Sequence, residues 1–312
     1  MDTKNLTTPT EFILLGFTDD QNINFFLFFI FLVIYIFTVV GNLLIICIIL
    51  SNHRLHIPMY FFLCILAFLD LCNSSSVIPK FLSDLLSVCR IISAGLCGMQ
   101  IFVILFLGGT ECQLLALMAY DRYVAICRPL HYPVLMRWSI CFHLTAFVWI
   151  FSFLICVIPS LLTPMQLCYP NLINHFMCEV LAILKLACGD IHLSAILIFS
   201  ISFISLLMPF MLIIISYICI IASVLKIKSA GRSRAFSTCT SHVTVVAVFF
   251  GTGMFMYFGP SSEYSSNREK YLAIFYLIIS PMLNPIIYSL NNRDVRESIR
   301  KLAYKFSGST NV

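Results

Sequence analysis

The segment MAYDRYVAICRPLHY, residues 118–132, decides how the rest of the chain is interpreted. It places an acid and a base, Asp121 and Arg122, at the end of a long apolar run that begins near Cys97. Charged side chains are costly inside hydrocarbon, so this pair is expected at a membrane edge or facing a protein interior. Two interpretations are open: an ordinary ion pair at a helix end, or a latch that holds one conformation of the protein.

The composition places the whole chain in a bilayer. Of its 312 residues, 60% are hydrophobic and 11% are charged, which is far from the composition of a soluble domain. Crossing about 30 Å of hydrocarbon takes roughly 18 or more apolar residues in a helix. Long, continuously apolar runs favour helices over the alternating strands of a membrane barrel. We therefore predict an all-α membrane protein, a bundle of seven transmembrane helices.

Short polar loops divide the chain into one membrane domain with a tail at each end. Residues 1–23 form the first tail and residues 24–290 the domain. Residues 291–312 form a second tail whose apolar positions recur near helical spacing, which predicts a short amphipathic helix on the membrane surface. The predicted spans cover residues 24–50, 58–82, 97–126, 139–162, 195–225, 235–260 and 271–290.

The distribution of the cations predicts the orientation of the chain. A net charge of +5 could favour nucleic acid. However, thirteen of the nineteen Lys and Arg residues fall on the side shared by the C-terminus, so we expect no nucleic-acid partner. The positive-inside rule then places the C-terminus in the cytosol and the N-terminus outside. An acceptor triplet for N-glycosylation at Asn5 agrees with an extracellular N-terminus.

Most of the fourteen cysteines lie within apolar runs, where free cysteine packs as a small hydrophobic residue. Cys97 lies at the outer end of span three, and Cys168, Cys178 and Cys188 lie in the longest loop. The long loop that contains the last three is expected on the oxidising side of the membrane. From the residues alone, four cysteines allow three disulfide connectivities.

Three polar side chains are predicted at mid-membrane depth: Asp70, Glu111 and Asn284 in spans two, three and seven. An isolated carboxylate at this depth would be protonated rather than charged. A cluster of polar groups, a cation or water is therefore expected around them.

Five motifs, in this order and at these membrane positions, resemble those of the olfactory (odorant) receptors, a family of rhodopsin-class G-protein-coupled receptors. They are GN at 41–42, PMYFFL at 58–63, MAYDRYVAIC at 118–127, KIKSAGRSRAFSTCTSH at 226–242 and PMLNPIIYSLNN at 281–292. The long cysteine-containing loop is similar to that of the larger, tetrapod-type (class II) group. Arg234 replaces the usual lysine, and Asn291-Asn292 replaces the frequent Arg-Asn.

The resemblance implies roles for three groups of residues. Coupling to the G protein and activation would involve Asp121, Arg122, Tyr123, His242, Asn284, Pro285 and Tyr288. A buried site for a structural sodium ion and water would involve Asn42, Asp70, Glu111 and Asn284, and a neutral hydrogen-bonded network without an ion is an equal alternative. The disulfides would be Cys97–Cys178 and Cys168–Cys188.

Beyond this possible sodium ion, we expect no cofactor. The HxxCE spacing of His175, Cys178 and Glu179 resembles a metal motif proposed for some olfactory receptors, but a Cys178 in a disulfide offers no thiolate. We therefore predict no metal site with these three residues.

The ligand pocket implied by the resemblance lies in the outer halves of spans three, five, six and seven. Residue 104, an aspartate in amine receptors of the superfamily, is isoleucine here, and no Lys or Arg lies inside these outer halves. A charged ligand would lack a buried counter-charge, so we expect a small, neutral, largely apolar ligand. The predicted lining is Ile104, Leu105, Gly108, Gly109, Ile201, Ser202, Ser205, Phe250, Gly251, Thr252, Met254, Phe255, Tyr257, Ile274 and Leu277, with Ser202, Ser205, Thr252 or Tyr257 as hydrogen-bonding groups.

The function that the resemblance implies is odorant binding outside the cell and activation of a stimulatory, olfactory-type heterotrimeric G protein that raises cyclic AMP. The chain is expected in the plasma membrane, with lipid as a further partner of its basic cytosolic segments. Other classes are a transporter, which would show paired and interrupted spans, and an intramembrane enzyme, for which no nucleophile or metal motif is present. A chemosensory receptor outside the nose is the main alternative.

Overall fold

The structure, a computed structural model, describes residues 9–162, 171–188, 192–226, 229–259, 265–291 and 295–300. Within these residues, seven helices are long and apolar enough to cross a membrane. The predicted fold, a predominantly helical bundle with seven spans, is thereby confirmed. The seven spans are numbered one to seven in chain order.

The spans begin and end as follows. Spans one to three are Gln21–Ser51, Pro58–Leu85 and Ala94–Cys127. Span four comprises Trp138–Ser152, Phe153–Val157 and Ile158–Leu162, and span five comprises His192–Ser202, Phe203–Leu207 and Met208–Val224. Span six is Ser229–Phe258, and span seven comprises Ser265–Ile274, Phe275–Ile279 and Ser280–Asn291.

Several spans extend beyond the apolar runs that predict them. The sixth helix begins at Ser229, within the basic segment expected to be a loop, and the seventh begins at Ser265. Asp84, expected in a loop, lies in the last turn of span two, where it pairs with Lys80 one turn earlier. Helical hydrogen bonding continues where a helix leaves the bilayer, so hydropathy marks the buried length better than it marks the ends.

Side chains at the helix starts explain why the spans begin where they do. Asp20 caps span one, because its carboxylate accepts from the backbone N–H of Asn22 at 2.8 Å. The Ser93 hydroxyl caps span three by accepting from the N–H of Leu96 at 3.3 Å. Pro58 occupies the first turn of span two, where its missing N–H has no helical partner to lose.

Spans four, five and seven each contain one π-helical turn, at Phe153–Val157, Phe203–Leu207 and Phe275–Ile279. In each span a proline follows the π turn by two residues, at Pro159, Pro209 and Pro281. Proline has no N–H for the helical ladder, and the wider π turn accommodates the missing bond. Each of these three prolines therefore follows a change of helical register.

A three-stranded sheet covers one end of the bundle, an element that the sequence did not predict. Strand β1 (Glu11–Leu14), inside the predicted first tail, pairs antiparallel with β2 (Ile91–Ser93) and parallel with β3 (Leu172–Ile173). Gly16 follows β1 at φ +66°, a left-handed conformation that suits glycine. The side chain of Lys270 donates to the Gly16 carbonyl at 2.7 Å, which fixes this turn on span seven.

The remaining surface agrees with a bilayer environment. Span one carries large exposed apolar side chains, including Phe25, Phe26 and Phe37 at 58%, 66% and 63% exposure. Such an apolar surface is unusual on a soluble monomer but suits contact with lipid. Spans two and three, by contrast, supply much of the buried core, with Phe62, Leu66, Leu114 and Leu115 almost fully buried.

Span three approaches span four closely at Gly109, and this contact gives a stability prediction. A Cβ at Gly109 would lie 2.5 Å from the Cys156 sulfur, whereas a Cβ at Gly108 meets nothing within 4 Å. Gly109→Ala is therefore expected to destabilise the helix bundle by about 1–3 kcal/mol. Gly108→Ala, the control with the same gain in helix propensity, should be neutral or slightly stabilising. Thermal unfolding of the purified protein in detergent measures both, and equal melting temperatures for the two variants would contradict this packing.

Candidate functional site

A cavity lies between spans three to seven, beneath the loop residue Val180. The space between its lining atoms, including the part that opens outward, is about 730 Å³. Eight predicted residues line it: Ile104, Leu105, Gly108, Gly109, Ile201, Ser202, Ser205 and Tyr257. The lining also contains Cys112, Cys156, Val180, Ile198, Leu206, Phe249, Gly253 and Tyr276.

The face that span six turns to the cavity differs from the predicted one. Phe249, Gly253 and Tyr257, spaced by one helical turn, line the cavity. Phe250 is buried against Phe210, Met254 packs on the main core, and Phe255 is half exposed. Gly251 and Thr252 also lie outside the lining. Nearly every residue of this helix segment is apolar, so the sequence contained no periodic signal for the inner face.

Span seven contributes Tyr276 rather than the predicted Ile274 and Leu277. Ile274 and Leu277 belong to a separate apolar cluster with spans one and two. The π turn at Phe275–Ile279 shifts the helical register here, which explains why regular helical spacing selects the wrong residues.

Hydroxyl groups of the predicted lining are largely engaged by the helix backbone. Ser202 and Ser205 donate to the carbonyls of Ile198 and Ile201 at 2.8 and 2.6 Å. Thr252 donates to the Val248 carbonyl at 2.7 Å. Such back-bonding satisfies the donor inside an apolar environment. The cavity wall is therefore less polar than its composition indicates.

A second cavity adjoins the first on the side of spans three, four and five. The two share Leu105, Val180, Ile198 and Ile201. Among the described residues that line the second cavity, Ser194 has the one polar side chain. The others are apolar and include Phe102, Val157 and Leu161. The apolar space is thereby extended toward the lipid-facing side of the bundle.

A disulfide joins the outer loop to the start of span three. Cys97 and Cys178 are bonded, as the resemblance implies, and Gln100 accepts from the Cys178 N–H at 2.8 Å. Cys188 is also disulfide-bonded, while its predicted partner Cys168 lies outside the described residues. Asn5, the predicted glycosylation site, lies outside them as well. The Cys97–Cys178 bond fixes the loop directly above the cavity.

Glu179, next to this disulfide, is 2% exposed and contacts span six. Its Oε1 accepts from the Tyr257 hydroxyl at 3.2 Å. Its Oε2 accepts from the backbone N–H groups of Leu181 and Ala182 at 2.7 and 3.2 Å, so the carboxylate also caps the short loop helix Val180–Leu184. A buried acid thus lies at the outer end of the cavity, although the sequence predicted a pocket without charge.

Burial and charge determine the protonation of the loop residues. The pKa of Glu179 is raised to about 7, chiefly by burial and to a smaller extent by the nearby Glu269, while the hydrogen bonds from Ala182, Leu181 and Tyr257 oppose this rise. Burial, followed by the charge of Lys270, lowers the pKa of His175 to about 3. His175 is therefore neutral at physiological pH, and its Nδ1 accepts from the Met177 N–H at 3.3 Å.

The three residues of the HxxCE spacing have other partners. The sulfur of Cys178 is in a disulfide, and Glu179 faces Tyr257 and the loop backbone. In the described part of the chain, His, Cys, Asp and Glu side chains form no group of three that could hold a metal ion.

Polar groups meet in the middle of the bundle, as the sequence predicts. Asn284 donates to Oδ2 of Asp70 at 2.9 Å, joining spans two and seven. Asp70 and Glu111 are buried close enough to interact electrostatically. Asn42 lies apart from this bond, since it donates to the carbonyls of Thr38 and Pro281 at 2.9 and 3.0 Å.

Several oxygens of this cluster have no hydrogen-bond partner among the described residues: Asp70 Oδ1, Asn284 Oδ1 and both carboxyl oxygens of Glu111. Buried polar atoms are rarely left unsatisfied. All four are oxygens able to coordinate a hard cation or accept from water. The donor set therefore fits the sodium and water site implied by the resemblance.

A third polar group connects spans three, five and six toward the end of the bundle that bears the 118–132 segment. His242 Nε2 donates to the Leu115 carbonyl at 3.2 Å, which leaves Nδ1 to accept from the Tyr217 hydroxyl at 2.9 Å. Arg122 lies close enough to the Cys239 thiol, also on span six, to interact with it electrostatically. Tyr288 of span seven is buried nearby, and its hydroxyl has no partner in the described residues.

Asp121 accepts from the Tyr132 hydroxyl at 2.9 Å, a partner that the sequence did not predict. Tyr132 belongs to the short helix Tyr132–Leu135 that follows span three. Asp121 thus ties the loop to the helix end, while Arg122 turns toward span six. Tyr123, the third residue of the motif, packs partly buried on the main core. Asp121 also interacts electrostatically with Arg122, although its direct hydrogen bond is to Tyr132.

The architecture defines the class of protein. Squid rhodopsin has the same fold: its crystal structure superposes with a TM-score of 0.72 at 19% identity, covering 90% of this chain and 85% of that chain. The fold is therefore the seven-helix fold of rhodopsin.

Sequence comparisons identify the family. The olfactory receptor family profile matches residues 31–305. Mouse olfactory receptor 5AP2 is 45% identical over 97% of this chain and 96% of its own length. Mouse olfactory receptor 8U9 is 47% identical over 96% of each chain, and human olfactory receptor 2A12 is 43% identical over 96% of this chain and 98% of its own.

The chain belongs to the olfactory receptor family of G-protein-coupled receptors. It is a multi-pass plasma-membrane receptor rather than an enzyme, with an odorant ligand and a G-protein partner. The olfactory assignment made from the motifs is confirmed. The transporter and enzyme alternatives are wrong.

The buried Glu179 gives a prediction for stability against pH. Its pKa in the folded protein, about 7, exceeds the ordinary value of 4.5, so the folded state holds this proton more tightly than the unfolded state. The resulting stabilisation is present below pH 4.5 and is lost as the pH rises through 7. Between about pH 5 and about pH 8, wild type should lose up to about 3 kcal/mol of stability relative to Glu179→Gln.

Thermal unfolding of both proteins in detergent at the two pH values measures this difference. Glu11→Gln is the control, because Glu11 is an exposed carboxyl on the same face. If the difference in stability between wild type and Glu179→Gln were the same at both pH values, the raised pKa of a buried Glu179 carboxyl group would be refuted.

Proposed function

We propose that this receptor binds small, neutral, largely apolar odorants in the cavity between spans three to seven and activates a stimulatory, olfactory-type G protein, which raises cyclic AMP. The observation that supports the ligand class best is the apolar lining, whose serine hydroxyls are engaged by backbone carbonyls. Such a site binds by shape and dispersion, with few hydrogen bonds.

We also propose that the N-terminus is extracellular and the C-terminus cytosolic. The excess of Lys and Arg on the C-terminal side supports this orientation. The Cys97–Cys178 disulfide, at the opposite end of the bundle from Arg122, supports it as well, since disulfides persist in the extracellular compartment. Residues 295–300, helical where the amphipathic helix is predicted, would then lie at the cytosolic surface with basic residues toward anionic lipid.

Two helices connect the ligand cavity to the cytosolic contacts. Span three carries Ile104 and Leu105 at the cavity and Arg122 near the other end, and span six carries Tyr257 at the cavity and His242 nearer the cytosol. An odorant that binds more tightly when spans three and six separate shifts the population toward that arrangement. The His242–Leu115 and Arg122–Cys239 contacts would open, and a G-protein segment would replace them at Arg122.

Arg122→Ala is expected to abolish odorant-evoked cyclic AMP, because it removes the guanidinium that contacts span six and would contact the G protein. A cyclic-AMP reporter screen with chemically diverse volatiles measures the response, normalised to receptor at the cell surface. Arg137→Ala is the matched control, since Arg137 is exposed beyond the end of span three. An undiminished response of Arg122→Ala would refute its role. No response of surface-expressed wild type to any volatile would refute the odorant function.

We propose further that a sodium ion with water binds at Asp70, Glu111 and Asn284 and favours the inactive arrangement. The unsatisfied buried oxygens of these three side chains support this site. Asn42 would act indirectly, through its bonds to the backbone of spans one and seven.

Basal activity should therefore fall as sodium rises from zero to physiological concentration at constant ionic strength, with choline as the replacement cation. Asp70→Asn, which removes the charge but keeps the bond geometry with Asn284, should make basal activity insensitive to sodium. GTPγS binding in membranes containing receptor and G protein measures basal activity. Wild-type activity that is indifferent to sodium would exclude the ion and favour the neutral network.

A further inference from the structure

Glu179 is the one buried acid described at the cavity that the proposed function does not use. Its Oε2 accepts two backbone N–H bonds, at 2.7 and 3.2 Å, and is saturated as the cap of the loop helix. Among the described residues, its Oε1 accepts one hydrogen bond, from the Tyr257 hydroxyl. A carboxylate oxygen can accept more than one hydrogen bond. Oε1 therefore retains acceptor capacity beside two residues of the cavity lining, Val180 and Tyr257.

The neighbouring charges do not neutralise Glu179. Lys185 binds both carboxyl oxygens of Glu269 on span seven, at 2.9 and 2.6 Å. His175, in the same loop, is neutral because its pKa is low. The direct contacts of Glu179 in the described residues come from neutral donors, two amides and one phenol. A further donor at Oε1 would therefore stabilise the carboxylate.

Tyr276 supplies an independent observation on span seven. Its ring lines the cavity, and its buried hydroxyl has no hydrogen-bond partner among the described residues. It lies close enough to Glu179 for the two to interact electrostatically. A buried hydroxyl without a partner is uncommon in native structures, and one that lines a cavity is expected to bond to what the cavity holds.

We propose that Glu179 and Tyr276 form a polar subsite for the hydroxyl group of an aliphatic alcohol whose chain occupies the apolar cavity. This inference rests on the proposed function and specifies the ligand. A hydroxyl group donates to Oε1 of Glu179 and accepts from the Tyr276 hydroxyl, so it satisfies both groups at once. An ether or aldehyde oxygen only accepts, and an ammonium group only donates. The adjoining apolar cavity on the side of spans three to five gives room for the chain.

The test compares compounds of equal chain length, about six to eight carbons: a primary alcohol, its methyl ether, the aldehyde and the primary amine. Cyclic-AMP concentration–response curves are measured on wild type, Glu179→Gln and Tyr276→Phe. Thr252→Ala is the control, because it removes a hydroxyl that lies outside the cavity lining and is bonded to the backbone. An N-terminal epitope tag reports the amount of each variant at the cell surface.

On wild type, the alcohol should be at least about tenfold more potent than the ether, which corresponds to one hydrogen bond to a charged group. In Glu179→Gln and Tyr276→Phe this ratio should fall below about threefold, with little change for the ether. Thr252→Ala should keep the wild-type ratio. Tyr276→Phe retains the ring and the loop cap, so it tests the subsite even if Glu179→Gln fails to reach the surface.

Three results would overturn the subsite. The first is equal potency of the alcohol and the ether on wild type. The second is an alcohol-to-ether potency ratio that stays at the wild-type value in both Glu179→Gln and Tyr276→Phe. The third is a higher potency of the amine than of any other compound. Where the ether or another neutral volatile still activates the receptor, the proposed function stands. If no volatile activates surface-expressed wild type, both the proposed function and the subsite are refuted.

Discussion

Hydrocarbon offers no hydrogen bonds, and the rest of the structure depends on this constraint. Each polar group within the bilayer must find its partner inside the protein. Ser202 and Ser205 meet this requirement through carbonyls of their own helix. Prolines in spans four, five and seven leave gaps in the helical ladder, and π turns lie next to these gaps. The result is an outer cavity with an apolar wall and irregular helices around it.

The same constraint also brings polar side chains of different elements together at three depths. Glu179 and Tyr257 meet at the outer loop, Asp70 and Asn284 in the middle, and His242 and Tyr217 toward the cytosolic end assigned by charge. Each group joins different helices, so each is sensitive to their relative position. In the proposed mechanism, a ligand that changes the distance between spans three and six at the outer cavity acts on the contacts that these two spans carry. It shifts the population only by its difference in affinity for the two arrangements.

The sequence predicted the spans well because long apolar runs have few alternatives in a bilayer. Their ends were less predictable, since the helix from Ser229 and the turn containing Asp84 are polar yet helical. The inner face of span six could not be predicted, because Phe249 and Phe250 differ in orientation and not in chemistry. Tyr276 was missed because a π turn shifts the register of span seven. The contacts of Glu179 and Tyr132 were missed because both residues lie in connections between spans, and hydropathy does not predict which helix such a connection packs against. Adjacency to Cys178 was nevertheless a signal for Glu179.

The central claim is that occupancy of the outer cavity separates spans three and six at their cytosolic ends. Site-specific spin labels introduced as unnatural amino acids at His131 and Thr240, both exposed, allow this distance to be measured by pulsed electron paramagnetic resonance. An activating odorant should shift the distance distribution of the purified receptor to longer values, and more so with G protein present. An unchanged distribution with an odorant that still activates the G protein would contradict the account.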